Sequence, residues 1–124
     1  APYGAFPCAD GRVLLLWLQN EREWAALCAA LGEPERAGRE GFASNAARVA
    51  NRAAVDAWVG GHLARMGREE AAALLDRARI AYGRLSDLDD LAAHPQARFV
   101  TVPTPAGDLE LLAPGARVRG EGPA

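Results

Sequence analysis

The sequence predicts an α+β fold, a small antiparallel sheet with helices packed on it, from two observations. Residues 13–18 (VLLLWL) form an unbroken apolar run, which is typical of a central strand buried on both faces. Segments with helical periodicity follow this run, and strand-like segments return only after residue 80. Strands and helices therefore cluster rather than alternate, as in α+β proteins.

Composition excludes several classes of protein. The chain has 124 residues, with 16 acidic and 14 basic side chains and a net charge of −2. This balance predicts no nucleic-acid partner and no membrane surface as a partner. No apolar run approaches the ~20 residues that a membrane-spanning helix needs. The start of the sequence also lacks the basic and long apolar regions of a signal peptide.

The first elements follow from local signals. Tyr3 to Pro7 is predicted to be extended, and Asp10-Gly11 favours a hairpin into the strand at 13–18. Asn20 is a good helix N-cap, and Glu23 completes a capping-box pattern. The helix that follows ends at Gly32. Its predicted buried face has i, i+3, i+4 and i+7 spacing: Trp24, Leu27, Cys28 and Leu31.

The middle of the chain is predicted to be helical. Residues 33–45 are polar and loop-like, with Phe42 as an apolar anchor. Ser44 or Asn45 is expected to cap a second helix that runs to Met66 and is closed by Gly67. Its apolar face carries Val55, Trp58, Val59, Leu63 and Met66. Residues 68–79 form a third helix, with acids in the first turn and Arg in the last, as the helix dipole favours.

The last elements are short. Residues 80–85 are predicted to be a strand, followed by a short helix capped by Ser86 and stopped before Pro95. Residues 97–103 and 107–113 are predicted to be two strands joined by a turn containing Pro and Gly. We expect one domain over residues 1–113 and a linker or truncated tail over 114–124.

Most polar side chains have a structural explanation. His62 and His94 have no second imidazole or Cys at metal-ligand spacing, so no metal site is predicted. Cys8 and Cys28 are widely separated and form no C-x-x-C pair, which favours free thiols and a reducing cytoplasm. Ser44 and Ser86 are expected to be caps rather than nucleophiles. No glycine-rich nucleotide-binding motif is present.

Charged pairs leave alternatives open. Arg48 and Arg52 lie one helical turn apart and could clamp an anion, although such a pair more often lies on a solvated face or meets acids on a neighbouring helix. Asp89 and Asp90 are neighbours in a helix and point in different directions, so we interpret them as acids of a first helical turn.

Glu21 is the strongest candidate for a functional side chain. It lies between a central strand and the start of a helix, where two rigid elements would hold it. An acid in a first helical turn is also favoured by the dipole alone. The residue pattern shows no partner base or nucleophile, so it favours the structural explanation.

Four stretches together resemble one family. In order they are APYGAFPCADG, LQNEREWAALCAALG, FASNAARVANRAAVDAWV and RARIAYGRLSDLDDLAAHPQAR, and they extend from Ala1 to the region of Gly107. They resemble the class III CoA-transferases of the CaiB/BaiF type, which include formyl-CoA transferase, carnitine CoA-transferase and α-methylacyl-CoA racemase. The resemblance implies the small domain of such a protein. The sequence begins at Ala1, and its one Met is Met66, so we expect an excised domain, with removal of an initiator Met before Ala1 as the alternative.

The resemblance implies roles for several residues. The glycine-rich loop that covers the transferase intermediate would come just before Ala1, so Pro2, Tyr3 and Gly4 would mark its exit. Tyr3, Gly4 and Asn20 would then lie at the substrate edge. In the racemase branch a glutamate matching Glu21 supports a histidine of the large domain in proton transfer. Sequence around "PYGAF" and "QNEREW" is closer to the transferase branch, where Glu21 would line the site or cap the helix.

The resemblance also implies an activity. The parent protein would transfer coenzyme A from an acyl-CoA donor to a carboxylic acid, through an aspartate and a CoA site in a large domain. CoA and acyl-CoA would be substrates, with no tightly bound cofactor, and the parent would be a homodimer. The isolated chain would be inactive. The alternatives are the racemase branch and a non-catalytic dimerisation or interaction module.

Overall fold

The computed structural model describes residues 1–115, and these fall into two units, residues 1–85 and residues 86 onward. The first unit holds three strands, β1 (Tyr3–Pro7), β2 (Val13–Trp17) and β3 (Tyr82–Leu85), and the helices between β2 and β3. These helices are α1 (Glu21–Ala30), a 3-10 helix (Pro34–Gly38), α2 (Asn45–Ala50), α3 (Arg52–Leu63) and α4 (Arg68–Ala78). The predicted α+β class is confirmed.

The sheet of the first unit has the order β1-β2-β3 and is antiparallel throughout. The apolar strand β2 is central, as predicted. β1 and β2 form the expected hairpin, in which Gly11 takes a positive φ of 76° that suits glycine. β3 then pairs with the other edge of β2, with Val13 opposite Leu85 and Leu16 opposite Tyr82.

The core lies between one face of this sheet and the helices. Leu14 and Leu16 of β2 are buried, whereas Val13, Leu15 and Trp17 on the other face are half-buried. The helices contribute side chains at helical spacing, which buries one stripe of each. Fully buried members are Trp24, Leu27 and Cys28 of α1, Val55, Val59 and Leu63 of α3, and Ala71 and Leu75 of α4. The predicted buried face of α1 is confirmed.

Both ends of α1 use the predicted signals. Asn20 Oδ1 accepts a hydrogen bond from Glu23 N at 2.9 Å. Glu23 Oε2 accepts from Gln19 N, one residue before the position expected in a capping box. At the other end Gly32 has a φ of 83°, and Glu33 N donates to Cys28 O in a Schellman motif.

The predicted second helix is wrong in two respects. Ser44 caps it as expected, but Asn51 leaves helical geometry and divides it into α2 and α3. The Asn51 side chain donates to Gly41 O instead of supporting the helix. α3 then ends at Leu63, before Met66, in a turn where Arg65 N and Met66 N make i, i+3 bonds to His62 O and Leu63 O, and the Met66 carbonyl accepts Ala9 N from the β1–β2 hairpin. Gly67 does not close α3; it lies at the start of α4.

The start of α4 is capped from a distant part of the chain. Asp10 Oδ2, in the hairpin turn, accepts Arg68 N at 2.9 Å. Asp10 therefore supplies the side-chain oxygen that Gly67 lacks. This bond from Arg68 N also lowers the pKa of the Asp10 carboxyl.

The second unit contains α5 (Leu88–Ala92), β4 (Phe99–Thr104) and β5 (Gly107–Leu112). β4 and β5 form an antiparallel two-stranded ribbon, close to the predicted pair. The predicted cap Ser86 is wrong: Asp87 caps α5, because Asp87 and Asp90 make the two reciprocal bonds of a capping box. Asp89 and Asp90 lie in the first turn, as predicted. The tail predicted over 114–124 lies mostly outside the described residues.

Candidate functional site

The predicted site residues lie near one edge of the first unit. β1 begins and β2 ends at this edge, where Tyr3 pairs with Trp17 and Leu18 N donates to Pro2 O at 3.3 Å. Asn20 and Glu21 follow immediately and start α1. The antiparallel register thus places Tyr3 and Gly4 beside the strand end that leads to Asn20 and Glu21, although they are far apart in sequence.

Glu21 is held by both carboxylate oxygens. Oε2 accepts Arg48 Nη1 at 2.9 Å, and Oε1 accepts Arg48 Nη2 at 3.1 Å. Oε1 also accepts Asn45 N at 3.0 Å. A planar guanidinium and a carboxylate match in this two-bond geometry, which fixes orientation as well as distance. Glu21 therefore joins the start of α1 to the start of α2.

Arg48 makes this arrangement rigid, because its side chain is only 3% exposed. Nε donates to Ala1 O at 2.8 Å, and Nη1 also donates to Phe42 O at 3.0 Å. The guanidinium carbon lies 4.8 Å from the centre of the Trp24 ring, in the range of a cation–π contact. A buried guanidinium is tolerated when it is paired and its N–H groups have acceptors, and Arg48 meets both conditions.

The pair fixes the charge of Glu21. Hydrogen bonds from Arg48 lower the pKa of the Glu21 carboxyl, and Asn45 N acts in the same direction. The carboxylate stays partly exposed to solvent. Chemically, this geometry suits a fixed anion that accepts a hydrogen bond or orients a cationic imidazolium. It does not suit an acid that gives up a proton near neutral pH.

Tyr3 and Gly4 are associated with the second arginine. Arg52 donates through Nη2 to Tyr3 O and through Nε to Asp56 Oδ2, the latter at 3.1 Å. The Tyr3 side chain is exposed. A Cβ at Gly4 would lie 3.9 Å from Arg52 Nη2, an ordinary contact, so no steric requirement for glycine arises there.

The two arginines do not clamp one anion. Arg48 is paired with Glu21 on a neighbouring helix, which is the last of the three alternatives that their spacing left open. Arg52 is paired with Asp56 on its own helix, at the i, i+4 distance.

A second charged cluster was not predicted. Glu33 Oε1 accepts Trp58 Nε1 at 2.9 Å and lies 3.3 Å from His62 Nε2. Glu33 Oε2 accepts two bonds from Arg36, at 2.9 and 2.6 Å. The Arg36 guanidinium in turn lies over the rings of Phe42 and Trp58. Bonds from Trp58, Arg36 and His62 lower the pKa of Glu33 to about 2.

This cluster gives His62 a structural neighbour. The one sequence signal for it was the i, i+3 spacing of Glu33 and Arg36, which predicts an ion pair but not the contacts from α3. His94 Nδ1 accepts Gln96 N within the second unit. In residues 1–115, no group of three or more His, Cys, Asp or Glu side chains is placed to hold a metal ion.

The thiols and the helices add two observations. Cys8 and Cys28 are both free and buried, and burial raises the pKa of the Cys28 thiol to about 11. A buried protonated thiol is a poor nucleophile, so neither cysteine is placed for covalent chemistry.

Among the helices of the described part of the chain, none is long and apolar enough to cross a membrane.

Comparison with known proteins identifies the family. The fold is an α+β unit in which a carboxylate at the start of a helix is fixed at one edge of the sheet. This arrangement defines a class of fold but does not identify a reaction. The sequence pattern of CoA-transferase family III matches residues 1–122 of this chain. This chain belongs to CoA-transferase family III.

Two curated relatives are much longer. An acyl-CoA transferase of Fusarium pseudograminearum is 30% identical, and the match covers 94% of this chain and 27% of the relative. A succinate–glutarate CoA-transferase of Agrobacterium fabrum is 29% identical, and the match covers 94% of this chain and 29% of the relative. The chain therefore spans less than a third of the length of these relatives.

Solved structures agree with this assignment. A CaiB/BaiF family protein from Brucella suis superimposes with a TM-score of 0.81 at 31% identity, over 97% of this chain and 32% of that protein. A protein from Mycobacterium tuberculosis gives a TM-score of 0.72 at 22% identity, over 94% of this chain and 34% of that protein. The second likeness shows the fold alone.

Proposed function

We propose that these residues form the small domain of an enzyme that transfers coenzyme A from an acyl-CoA donor to a carboxylic acid. One observation carries the proposal: the family match extends over residues 1–122, and the same chain follows the Brucella suis family member over 97% of its length. The nucleophilic aspartate and the CoA site belong to the remaining part of the parent enzyme. CoA and acyl-CoA are its substrates, and no tightly bound cofactor is required.

The site edge contributes a fixed carboxylate. Glu21, ionised and oriented by Arg48, would face the reacting groups held by the large domain. Tyr3, Gly4 and Asn20 would line the same substrate edge. A fixed anion can orient an imidazole or accept a hydrogen bond from a substrate without undergoing a change of charge. Glu21 thus has a supporting role.

The alternative is the racemase branch, which the arginine-fixed carboxylate of Glu21 would also suit. A carboxylate locked by an arginine suits the support of a histidine that moves the α-proton of a 2-methylacyl-CoA. The two branches differ in what happens to the substrate. Transfer moves CoA to a second acid, whereas racemisation exchanges a proton at carbon 2 and leaves the thioester intact.

Homodimerisation and a cytoplasmic site of action complete the proposal. Family resemblance supports the dimer, and the two free buried cysteines suit a reducing compartment. The 124 residues on their own would catalyse no turnover, because the nucleophile and the CoA site would both come from the rest of the parent enzyme.

The test uses the complete gene product that contains this sequence. Succinyl-CoA and glutarate are reasonable first substrates because the Agrobacterium fabrum relative is named for them. Formation of a new acyl-CoA, followed by chromatography, supports the transferase. Deuterium incorporation at carbon 2 of a 2-methylacyl-CoA in D₂O, without transfer, supports the racemase. Absence of both activities over a panel of acids and acyl-CoAs would overturn the proposal.

Two variants test the role of Glu21. Glu21→Gln is expected to lower kcat at least tenfold, since the amide cannot supply the fixed charge. Glu35→Gln changes an exposed carboxylate in the 3-10 helix, outside the predicted site residues, and is expected to leave kcat unchanged. Equal kcat values for both variants and the wild type would remove Glu21 from the mechanism.

Titration of CoA into the 124-residue chain tests where the ligand binds. No heat of binding by a folded chain is expected. Saturable binding would place the CoA site within these residues and contradict the division of labour proposed here.

A further inference from the structure

Asp10 and Gly11, in the turn of the β1–β2 hairpin, form the one Asp-Gly pair of the sequence, which contains no Asn-Gly pair. Asp-Gly is among the aspartyl linkages most prone to rearrange, because glycine has no side chain to hinder its backbone nitrogen. That nitrogen can attack the side-chain carbon of the preceding aspartate and form a five-membered imide ring. The hairpin turn thus contains a linkage that can change covalently without an enzyme or a cofactor.

The reaction requires only water. Starting from the neutral carboxyl, a bond forms between Gly11 N and Asp10 Cγ, and the carboxyl hydroxyl leaves as water with the proton of the nitrogen. Water then opens the imide at one of its two carbonyl carbons. Opening at Cγ restores aspartate. Opening at the main-chain carbonyl carbon gives isoaspartate, in which the backbone runs through Cγ and the free carboxylate is attached to Cα.

Both oxygens of the Asp10 side chain have hydrogen bonds in the folded chain. Oδ2 accepts Arg68 N at 2.9 Å, which is the cap of α4, and Oδ1 accepts Arg12 N at 3.1 Å. The imide keeps only one of these two oxygens. Ring closure therefore breaks at least one of the two hydrogen bonds, and it has to move a side chain that joins the turn to α4.

The attacking nitrogen is also engaged. Gly11 N donates to Cys8 O at 3.0 Å, and Cys8 N donates to Arg12 O at 2.8 Å across the same turn. Gly11 N loses its proton when the imide forms, so its bond to Cys8 O is lost as well. Imide formation in the folded turn thus has to break a backbone hydrogen bond in addition to a side-chain bond.

The charge of Asp10 acts in the same direction. A carboxylate resists attack by a nucleophile, and the hydroxyl group leaves more readily from the neutral acid. The bond from Arg68 N lowers the pKa of the Asp10 carboxyl, so less neutral acid is present at a given pH. The hydrogen bonds and the charge therefore both oppose the rearrangement while the cap is in place.

We propose that Asp10-Gly11 is a site of spontaneous isoaspartate formation, which the α4 cap and the folded turn suppress. The reactive form is the turn released from Arg68 N, so the rate follows the fraction of molecules in which this contact is locally open. The product lacks the original cap, since its free carboxylate is attached to a different carbon. This modification is independent of the function proposed above.

Peptide mapping of the complete gene product tests the site. The protein is incubated at neutral pH, either folded in buffer or unfolded in guanidinium chloride, and circular dichroism confirms each state. Trypsin then releases a peptide that ends at Arg12 and contains Asp10 and Gly11. Electron-transfer fragmentation distinguishes isoaspartate from aspartate in this peptide. We expect isoaspartate to form at least tenfold more slowly in the folded protein.

Two variants of Arg68 separate the cap from folding in general. Arg68→Pro removes the N–H that Asp10 Oδ2 accepts. Proline is favoured at this first position of a helix, and Gly67 before it is already extended, with ψ of 157°. Arg68→Ala removes the same side chain, with its bond to Leu85 O, and keeps the N–H. Among folded samples, isoaspartate should form at least threefold faster in Arg68→Pro than in Arg68→Ala.

Two results would overturn the proposal. Equal rates in the two variants, both folded, would show that the cap does not protect Asp10. Equal rates in the folded and unfolded wild-type protein would show that the turn does not suppress the reaction at all. The wild-type comparison needs no variant, so it decides even where Arg68→Pro fails to fold.

Discussion

Arg48 is the residue on which the candidate site depends. Its guanidinium connects the start of α1, the loop at Phe42 and the carbonyl of Ala1, and it lies against the Trp24 ring. These groups come from three segments, the N-terminus, α1 and the loop before α2. The charge is accommodated inside because each of the three guanidinium nitrogens donates to an oxygen and the guanidinium lies over the Trp24 ring.

Replacing Arg48 should therefore destabilise the first unit far more than replacing its neighbour. Arg48→Ala removes bonds to three acceptors and is expected to lower the free energy of unfolding by about 2–4 kcal/mol. Arg52→Ala removes an exposed i, i+4 pair with Asp56 and an exposed hydrogen bond to Tyr3 O, and should cost about 1 kcal/mol. Urea denaturation followed by circular dichroism measures both. Equal costs would contradict the structural role assigned to Arg48.

Glu33 should make the fold sensitive to acid. The bonds from Trp58 and Arg36 lower its pKa from 4.5 to about 2. As the pH falls below 4.5, the ordinary pKa of the Glu33 carboxyl, the unfolded chain binds a proton there before the folded chain does. The contribution of Glu33 is thus fully present above about pH 4.5 and is lost as the pH falls towards 2.

The free energy of unfolding, measured by urea titration between pH 6 and pH 2, checks this. Glu33→Gln should fall less steeply with decreasing pH than the wild type below pH 4.5, because the depressed carboxyl is gone. Glu35→Gln changes an exposed carboxylate two residues away and should keep the wild-type slope. A Glu33→Gln curve parallel to the wild type would show that the cluster does not hold the proton off Glu33.

At the scale of elements, the end of α1 depends on one backbone conformation. Gly32 adopts the left-handed region, with nothing near its Cβ position, so only conformational strain opposes a side chain there. Gly32→Ala is expected to lower the free energy of unfolding by about 1–2 kcal/mol. Gly38→Ala serves as the control, since Gly38 also has open space but no positive φ. Thermal unfolding of the two variants decides whether strain is the cause.

Local signals predicted many of the elements. Asn20, Gly32 and Ser44 act through neighbours within a few residues, and each lies where a short pattern predicted it. The errors arose where distant groups competed. Gly67 starts α4 instead of closing α3 because Asp10 supplies the cap from the other side of the unit. At α5 the predicted cap Ser86 was wrong, because Asp87 and Asp90 make reciprocal bonds that put the cap at Asp87.

The same distinction holds for the site. Glu21 could be placed at the end of the central strand from sequence, because strand and helix patterns adjoin there. Its pairing with Arg48 joins residues 27 positions apart and depends on how α2 packs beside α1. Spacing within one helix pointed to Arg48 and Arg52 as a pair, and the tertiary fold separated them. Whether Glu21 acts in catalysis stays a prediction.

At the scale of the molecule, the described hydrophobic cluster lies within residues 1–85. A cavity there should lower the free energy of unfolding strongly, whereas shortening an exposed side chain of the second unit should change it little. Leu75→Ala in the 124-residue chain is expected to cost about 2–5 kcal/mol, since Leu75 is fully buried. Leu109→Ala should cost less than about 0.5 kcal/mol in the same chain. Tryptophan fluorescence during denaturation follows the first unit, because Trp17, Trp24 and Trp58 all lie there, and circular dichroism follows both units.

The pairing of β3 with β2 has a consequence for how the first unit is assembled in time. β1 and β2 are joined by a short turn and can associate as soon as both exist. β3 pairs Val13 with Leu85, so every helix of the unit lies inside the loop that this pairing closes. Closing so long a loop is entropically costly until the helices have packed. During synthesis, the hairpin must therefore wait with one edge of its central strand open until the ribosome has released β3.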